Sequence, residues 1–360
     1  MFNKDRLKAA RQRRKLAGKE LADLAGVTAV TISKIENGHQ PGEYVVDQIA
    51  AALGYPRDFF FMDTPEIPDV DTVSFRSLKR MSSAERHAAL TAGGHGVALY
   101  EWIEERFNLP VADLPDLSKI RDRPDMAARM LRQHWGIGEH PIADVLKLIE
   151  AKGVRVLSLS ENTKNVDAYS FWKGDRPFIF LNQHKTAERS VFDSAHELAH
   201  LVLHQHAGAK ADTDAETQAD QFASAFLMPD GDVRREMARV YTAAHIVAKK
   251  RRWKVSAMAL AYRLHKLGML SDWRYRSICI ELGQLGFRSG EPKGIERETS
   301  TVLAKVLAAM WGKRMTKQNI ATDLNLPLDE IEALIFGLSG HAPIHVGGQR
   351  PFAIVGGRHE

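Results

Sequence analysis

Ser194-Ala195-His196-Glu197-Leu198-Ala199-His200-Leu201-Val202-Leu203 reads as a helical run in which three polar side chains interrupt an otherwise apolar stretch. Residues four apart stand one turn apart on the same helix face, so His196 and His200 can aim at one metal ion, while Glu197 is turned about 100° away. That placement suits a zinc site in which two imidazoles bind the ion and a carboxylate manages the proton of an activated water. Two chance histidines on a surface helix leave unexplained why the polar trio sits among Ala195, Leu198, Ala199, Leu201 and Val202. The single cysteine, Cys279, excludes a disulfide framework and any site of several thiolates, so a metal must be held by His, Asp or Glu.

Outward from this helix, a third ligand has two candidates. His206 lies ten residues beyond His196, the spacing of the third histidine in the metzincin pattern HExxHxxGxxH. Leu203, however, occupies the position where that pattern needs glycine to turn the chain back. Glu216 lies twenty residues beyond His196, on an amphipathic helix whose Ala219, Phe222, Ala223 and Phe226 can pack on the motif helix, with Asp220 one turn on. This second spacing resembles the glutamate zincins, thermolysin-like enzymes in which one carboxylate binds zinc and another orients a ligand imidazole. Glu216 is the favoured ligand; His204 reads as a helix-end residue.

Upstream, Gly153 to Leu159, Ala168 to Trp172 and Pro177 to Asn182 are rich in strand formers and predict a small sheet. Tyr169 and Ser170 fall on the proposed edge strand; contact with a substrate chain by strand addition is one use, and core packing is the favoured use of Tyr169. Taken with Leu181-Asn182, Arg189, Ala219-Asp220, Phe222-Ala223 and Leu227-Met228-Pro229, the motif resembles the ImmA/IrrE family of zinc metallopeptidases over roughly residues 125–265. The resemblance implies a Zn2+ cofactor held by His196, His200 and Glu216, Glu197 as general base, and selective cleavage of a repressor. Asp220 stands where the family often has Asn, and Arg189 is read as structural, paired with a carboxylate.

The amino-terminal segment has a different grammar. Residues 1–20 hold eight basic side chains, Arg13 among them, against Asp5 and Glu20, roughly +6 in a chain whose net charge is +5. Gly18 to Gly38 then reads helix, tight turn, helix: Gly26 supplies the turn, Thr28 caps the second helix, and Ala22 and Ala25 allow close approach. Thr28, Ala29, Thr31, Ser33 and Lys34 fall at the leading end of the second helix, where short side chains meet base edges and phosphates, and the basic first helix grips phosphates. Residues 5–62, with Ile35-Glu36-Asn37-Gly38, Pro41, Ile49-Ala50 and Leu53-Gly54, resemble the XRE family of phage-repressor-type DNA-binding domains, which implies double-stranded operator DNA as a partner.

Toward the other end, Met315 to Ile331 has the spacing of another short helix-turn-helix, but the acids in its recognition-like segment favour packing, dimerisation or sensing over nucleic-acid contact. Trp253, Trp273 and Trp311 are assigned to the core, and the last twenty residues predict loop with one weak strand. At 360 residues, 44% apolar and 26% charged, the chain exceeds what one core organises and has ordinary globular composition. No apolar stretch reaches membrane-spanning length and no export signal is visible, so a cytoplasmic location is expected.

The expected fold is multidomain and mainly α. An all-α helix-turn-helix domain (1–64) and a helical linker (65–120) precede an α+β zincin-like domain with a small sheet (121–268) and a mostly helical carboxy-terminal region (269–360). The expected protein is a DNA-binding transcriptional regulator whose zinc metallopeptidase domain cleaves a repressor or partner protein in a stress, mobile-element or toxin–antitoxin circuit. The alternative is a non-catalytic antitoxin or autorepressor whose peptidase-like domain binds a toxin or senses a ligand. A homodimer is compatible with either reading, and neither involves a membrane.

Overall fold

The computed structural model describes residues 1–69, 73, 81–159, 168–205, 213–239 and 242–339; His206 and the weak strand expected near the end lie outside them. The chain is mainly α, with one three-stranded sheet among the described residues. Its first helices are α1 (Lys4–Arg13), α2 (Gly18–Leu24), α3 (Ala29–Glu36) and α4 (Glu43–Leu53), followed by a 3-10 turn over Arg57–Phe61. Gly26, at φ +64°, makes the α2–α3 turn in a conformation that favours glycine. The Thr28 hydroxyl then accepts the Thr31 N–H at 3.1 Å, satisfying a donor the helix itself leaves unpaired. Leu7, Leu21, Ala22, Ile32, Ile35, Val46, Ile49 and Phe60 close a small core beneath these helices.

The next helix, α5 (Ser83–Glu104), begins with a capping box between Ser82 and Glu85. After it come α6 (Pro124–His134), with Pro124 in the first turn as expected, and α7 (Val145–Ala151). The strands are β1 (Arg155–Leu159), β2 (Ala168–Lys173) and β3 (Arg176–Asn182), in the order β1-β3-β2. β3 runs parallel to β1, with Leu157 opposite Phe180, and antiparallel to β2, with Ser170 opposite Ile179. Then follow α8 (Ala187–Leu203), α9 (Thr213–Leu227), α10 (Asp230–Glu236), α11 (Ala243–Lys249), α12 (Ala257–Lys266), α13 (Asp272–Gln284), α14 (Thr301–Gly312), α15 (Lys317–Asp323) and α16 (Leu328–Ile335).

Strand alternation assigns the two faces of the sheet. On β2, Ser170 and Trp172 reach α8, the first through Glu197 and the second by an indole N–H donated to the Leu201 carbonyl at 3.1 Å. Tyr169 and Phe171 point the other way and stack with Phe180 and Phe178, at ring separations of 4.7 and 5.3 Å. The Tyr169 hydroxyl donates to the Ala89 carbonyl of α5 at 2.9 Å, and Tyr100 of α5 donates to the Val156 carbonyl at 3.1 Å. Gly96 lets α5 lie this close, since a Cβ there would sit 2.5 Å from Leu157 Cδ1 and 2.6 Å from Phe180 Cζ. Thus α5, within the segment read as a linker, forms one wall of the sheet's core, and the motif helix α8 forms the other.

The carboxy-terminal helices are also joined to this body. Glu298 accepts the Val145 and Leu146 N–H groups at the start of α7, and the Phe336 ring, just past α16, stacks on His184 at 5.2 Å. At the opposite end of α16, Glu330 receives Arg13 Nε at 2.6 Å and Arg14 Nη1 at 3.1 Å, while Asp329 receives Arg14 Nη1 at 2.7 Å. The acids of the second helix-turn-helix-like segment therefore hold α1. Trp253 is buried as expected, but Trp273 and Trp311 are 75% and 76% exposed and belong to no core. Their helices bury Ile278 and Leu282 on α13, and Leu303, Val306 and Met310 on α14, leaving the tryptophans on the outer faces.

Candidate functional site

The motif residues occupy the middle of α8, which starts at an N-cap formed by Thr186 and is buried along most of its length. Because α9 packs antiparallel-like across it through Ala219, Phe222, Ala223 and Phe226, all fully buried, Glu216 is brought opposite both histidines. His196 Nε2 and His200 Nε2 lie 3.1 Å apart, and the Glu216 carboxylate oxygens lie 3.3 Å from the first and 3.5 Å from the second. Four ligands at about 2.0–2.1 Å from a zinc ion define tetrahedral edges of about 3.3–3.4 Å, and the two imidazole nitrogens, each facing a different oxygen of the Glu216 carboxylate, have spacings of that order. The donor set, two imidazoles and a carboxylate, also suits zinc.

Electrostatics agree with a site built to hold positive charge. Burial alone would lower the pKa of His196, but the carboxylates of Asp220 and Glu216 override it and push the value up to about 10. Burial would raise Glu216, yet the two facing imidazoles hold it well below the ordinary carboxylate range. His196 Nδ1 lies 2.9 Å from Asp220 Oδ1; a carboxylate oxygen accepts, so this ring donates from Nδ1 and turns Nε2 toward the cluster.

Glu197, turned away from the other two as the helix period requires, is buried under β2. The Ser170 hydroxyl donates to Glu197 Oε2 at 2.6 Å and fixes the rotation of that carboxylate. Ser170 is itself buried, so its place is behind the acid, while Tyr169 is core. Arg189 pairs with Asp193 at 3.0 Å, the carboxylate partner expected for it. His204, at the end of α8, lies 3.0 Å from His200 Nδ1 and 2.9 Å from Gln218, contacts that helical spacing hints at only through the i, i+4 relation of His200 and His204. A cavity of about 560 Å³ opens beside Asp220, lined by Arg189, Phe192, Met258, Tyr262, Phe287 and Arg288 among others.

The second candidate site lies on α3. Thr28, Ala29, Ser33 and Lys34 are exposed and Thr31 is half-buried, its hydroxyl 2.9 Å from that of Thr28. Val30, at 62% exposure, stands among them and offers an apolar contact that the sequence reading omitted. Arg13 departs from expectation: its side chain is 8% exposed and turned to Glu330, so it does not join a phosphate-facing surface here. Arg11 is likewise engaged, bonding Glu36 through Nε at 2.7 Å, which leaves Lys4, Lys8, Lys15 and Lys19 as the exposed cations of the first twenty residues.

Comparison with known families agrees with both halves of this description. A family model described as Helix-turn-helix matches residues 7–60, and one described as IrrE N-terminal-like domain matches residues 149–265. No curated protein matches the chain. The protein is thus a fusion of an XRE-type helix-turn-helix domain with an ImmA/IrrE-like, peptidase-type domain. Among the described residues, no helix is long and apolar enough to cross a membrane.

Proposed function

We propose that this protein is a DNA-bound regulator whose peptidase-like domain is a zinc-dependent endopeptidase acting on a repressor or other partner protein. The observation that carries the reading is the convergence of His196 Nε2, His200 Nε2 and the two oxygens of the Glu216 carboxylate at 3.1–3.5 Å separations, with the Glu197 carboxylate held one helix position away by Ser170. His196, His200 and Glu216 would hold the ion, and Asp220 would orient His196. When bound, zinc supplies Lewis acidity toward a water and the scissile carbonyl. Glu197 takes the proton of the attacking water and delivers it to the leaving amide nitrogen. Thr28, Ala29, Thr31, Ser33 and Lys34 address operator DNA through the major groove. Binding reader and protease to one stretch of DNA raises the local concentration of a substrate bound beside them, so weak intrinsic affinity for that substrate suffices.

The test compares wild type with Glu197→Gln, both loaded with zinc, against the repressor or toxin encoded beside the gene, with and without operator DNA. Cleavage by wild type alone supports the reading. Equal cleavage by both proteins, or none by either while operator binding persists, rejects it in favour of a non-catalytic antitoxin or autorepressor.

A further inference from the structure

We infer that Asp122, Gln218 and His204 form a one-directional hydrogen-bond relay that sets the tautomer of His200 and so makes its Nε2 available to a metal. The inference rests on the zinc reading above and extends it to residues that touch no ligand atom of the cluster except through His200.

The polarity of the relay follows from its end. Asp122 Oδ1 lies 3.1 Å from Gln218 Nε2, and an ionised carboxylate has no proton to give, so the amide must present its NH2 group to Asp122. Gln218 Oε1 therefore faces His204 and, being acceptor-only, receives the His204 Nε2–H at 2.9 Å. A neutral imidazole carries one N–H, so His204 Nδ1 is left as an acceptor, 3.0 Å from His200 Nδ1. His200 must then donate from Nδ1, and its lone pair lies on Nε2, the atom 3.1 Å from His196 Nε2. Both histidines of the motif thus carry an outer partner, a carboxylate directly for His196 and a carboxylate at three removes for His200. Asp122 lies outside the matched 149–265 segment, so the preceding loop contributes to the centre.

The relay is tested by zinc affinity, measured on the full chain by competition with a chromophoric chelator, in wild type, His204→Phe, Gln218→Glu and Gln218→Lys. Gln218→Glu keeps an acceptor toward His204 and should bind zinc within a few-fold of wild type. Gln218→Lys places a donor there, reverses the chain and forces the proton onto His200 Nε2, and should weaken binding about 10–100-fold, as should His204→Phe. Nitrogen NMR of the metal-free proteins reads the tautomer itself: Nδ1–H on His200 in wild type and Gln218→Glu, Nε2–H in Gln218→Lys. Equal zinc affinity in Gln218→Lys and wild type, or an unchanged His200 tautomer, overturns the relay while leaving the metal site standing. Failure of the wild type itself to bind zinc overturns the metal reading, and the relay with it.

Discussion

Replacing Glu330 by glutamine removes the buried carboxylate on α16 that both Arg13 and Arg14 reach. Glu330 is 2% exposed in its side chain and Arg13 8%, so the pair lies out of water, whereas the Arg14–Asp329 contact, with Asp329 47% exposed, is screened and adds little. Breaking one side of a buried pair costs roughly 3–5 kcal/mol because the remaining charge is left in a poorly solvated site. Glutamine keeps one acceptor oxygen, which puts the expected loss near the lower end, about 3 kcal/mol, read by urea unfolding at pH 7. Acid gives an independent check. Burial alone would raise the Glu330 carboxyl, but Arg13, then His95 and Arg14, override it and hold it well below its ordinary value of 4.5. A depressed folded value means that the stabilisation is complete above the unfolded value and fades as pH falls toward the folded one. The gap between wild type and Glu330→Gln should therefore be constant from pH 7 to about pH 5. It should then narrow by up to about 1.4 kcal/mol for each further unit of acid. A loss below about 1 kcal/mol at pH 7, or a gap unchanged at pH 3.5, would refute the argument.

Lys34→Ala should weaken operator binding and reduce the slope of log affinity against log salt by about one, whereas Arg13→Ala should lower stability and leave that slope alone; equal slopes in the two variants contradict the assignment. Asp220→Asn keeps a neutral acceptor for His196 Nδ1, and with Asp220 49% exposed the loss of zinc affinity should be about tenfold, measured by chelator competition; no change removes Asp220 from the centre. Gly96→Ala forces a methyl against Leu157 and Phe180 and should destabilise by about 1–3 kcal/mol, seen as a lower urea midpoint; a neutral effect would show that α5 can draw back from the sheet at no cost.

What the sequence disclosed, and what it hid, divides along the range of the interactions. His196, Glu197 and His200 lie within two turns of one helix, so their relative directions follow from helical geometry alone. The apolar stripe of Ala219, Phe222, Ala223 and Phe226 likewise foretold that α9 would lean on α8 with Glu216 on the shared side, and the strand segments emerged within a few residues of their positions. Arg13 misled because a basic side chain looks the same in sequence whether it faces a phosphate or a carboxylate 317 positions away. Trp273 and Trp311 misled because hydrophobicity reports a tendency to burial and not whether a neighbour is present to supply it. Ser170 behind Glu197, and Asp122 and Gln218 behind His200, are long-range pairings that no periodicity encodes. The role of α5 did leave a trace in Gly93-Gly94-His95-Gly96: glycines inside a helix are unfavourable unless another element must come close.

Helix-turn-helix units are often regarded as cassettes, exchanged between proteins with little adjustment. The join between α1 and α16 makes this one a poor candidate for such exchange. A reader imported from elsewhere would bring its own residue to position 13, and unless that residue were cationic, Glu330 would be shut beneath it with the strongest of its partners gone. Two changes separated by most of the chain would have to arrive together, or in an order that passes through a weakened intermediate. The ion pair thus restrains sequence drift at both ends of the molecule, and the identities of residues 13 and 330 should vary as a couple wherever this architecture recurs.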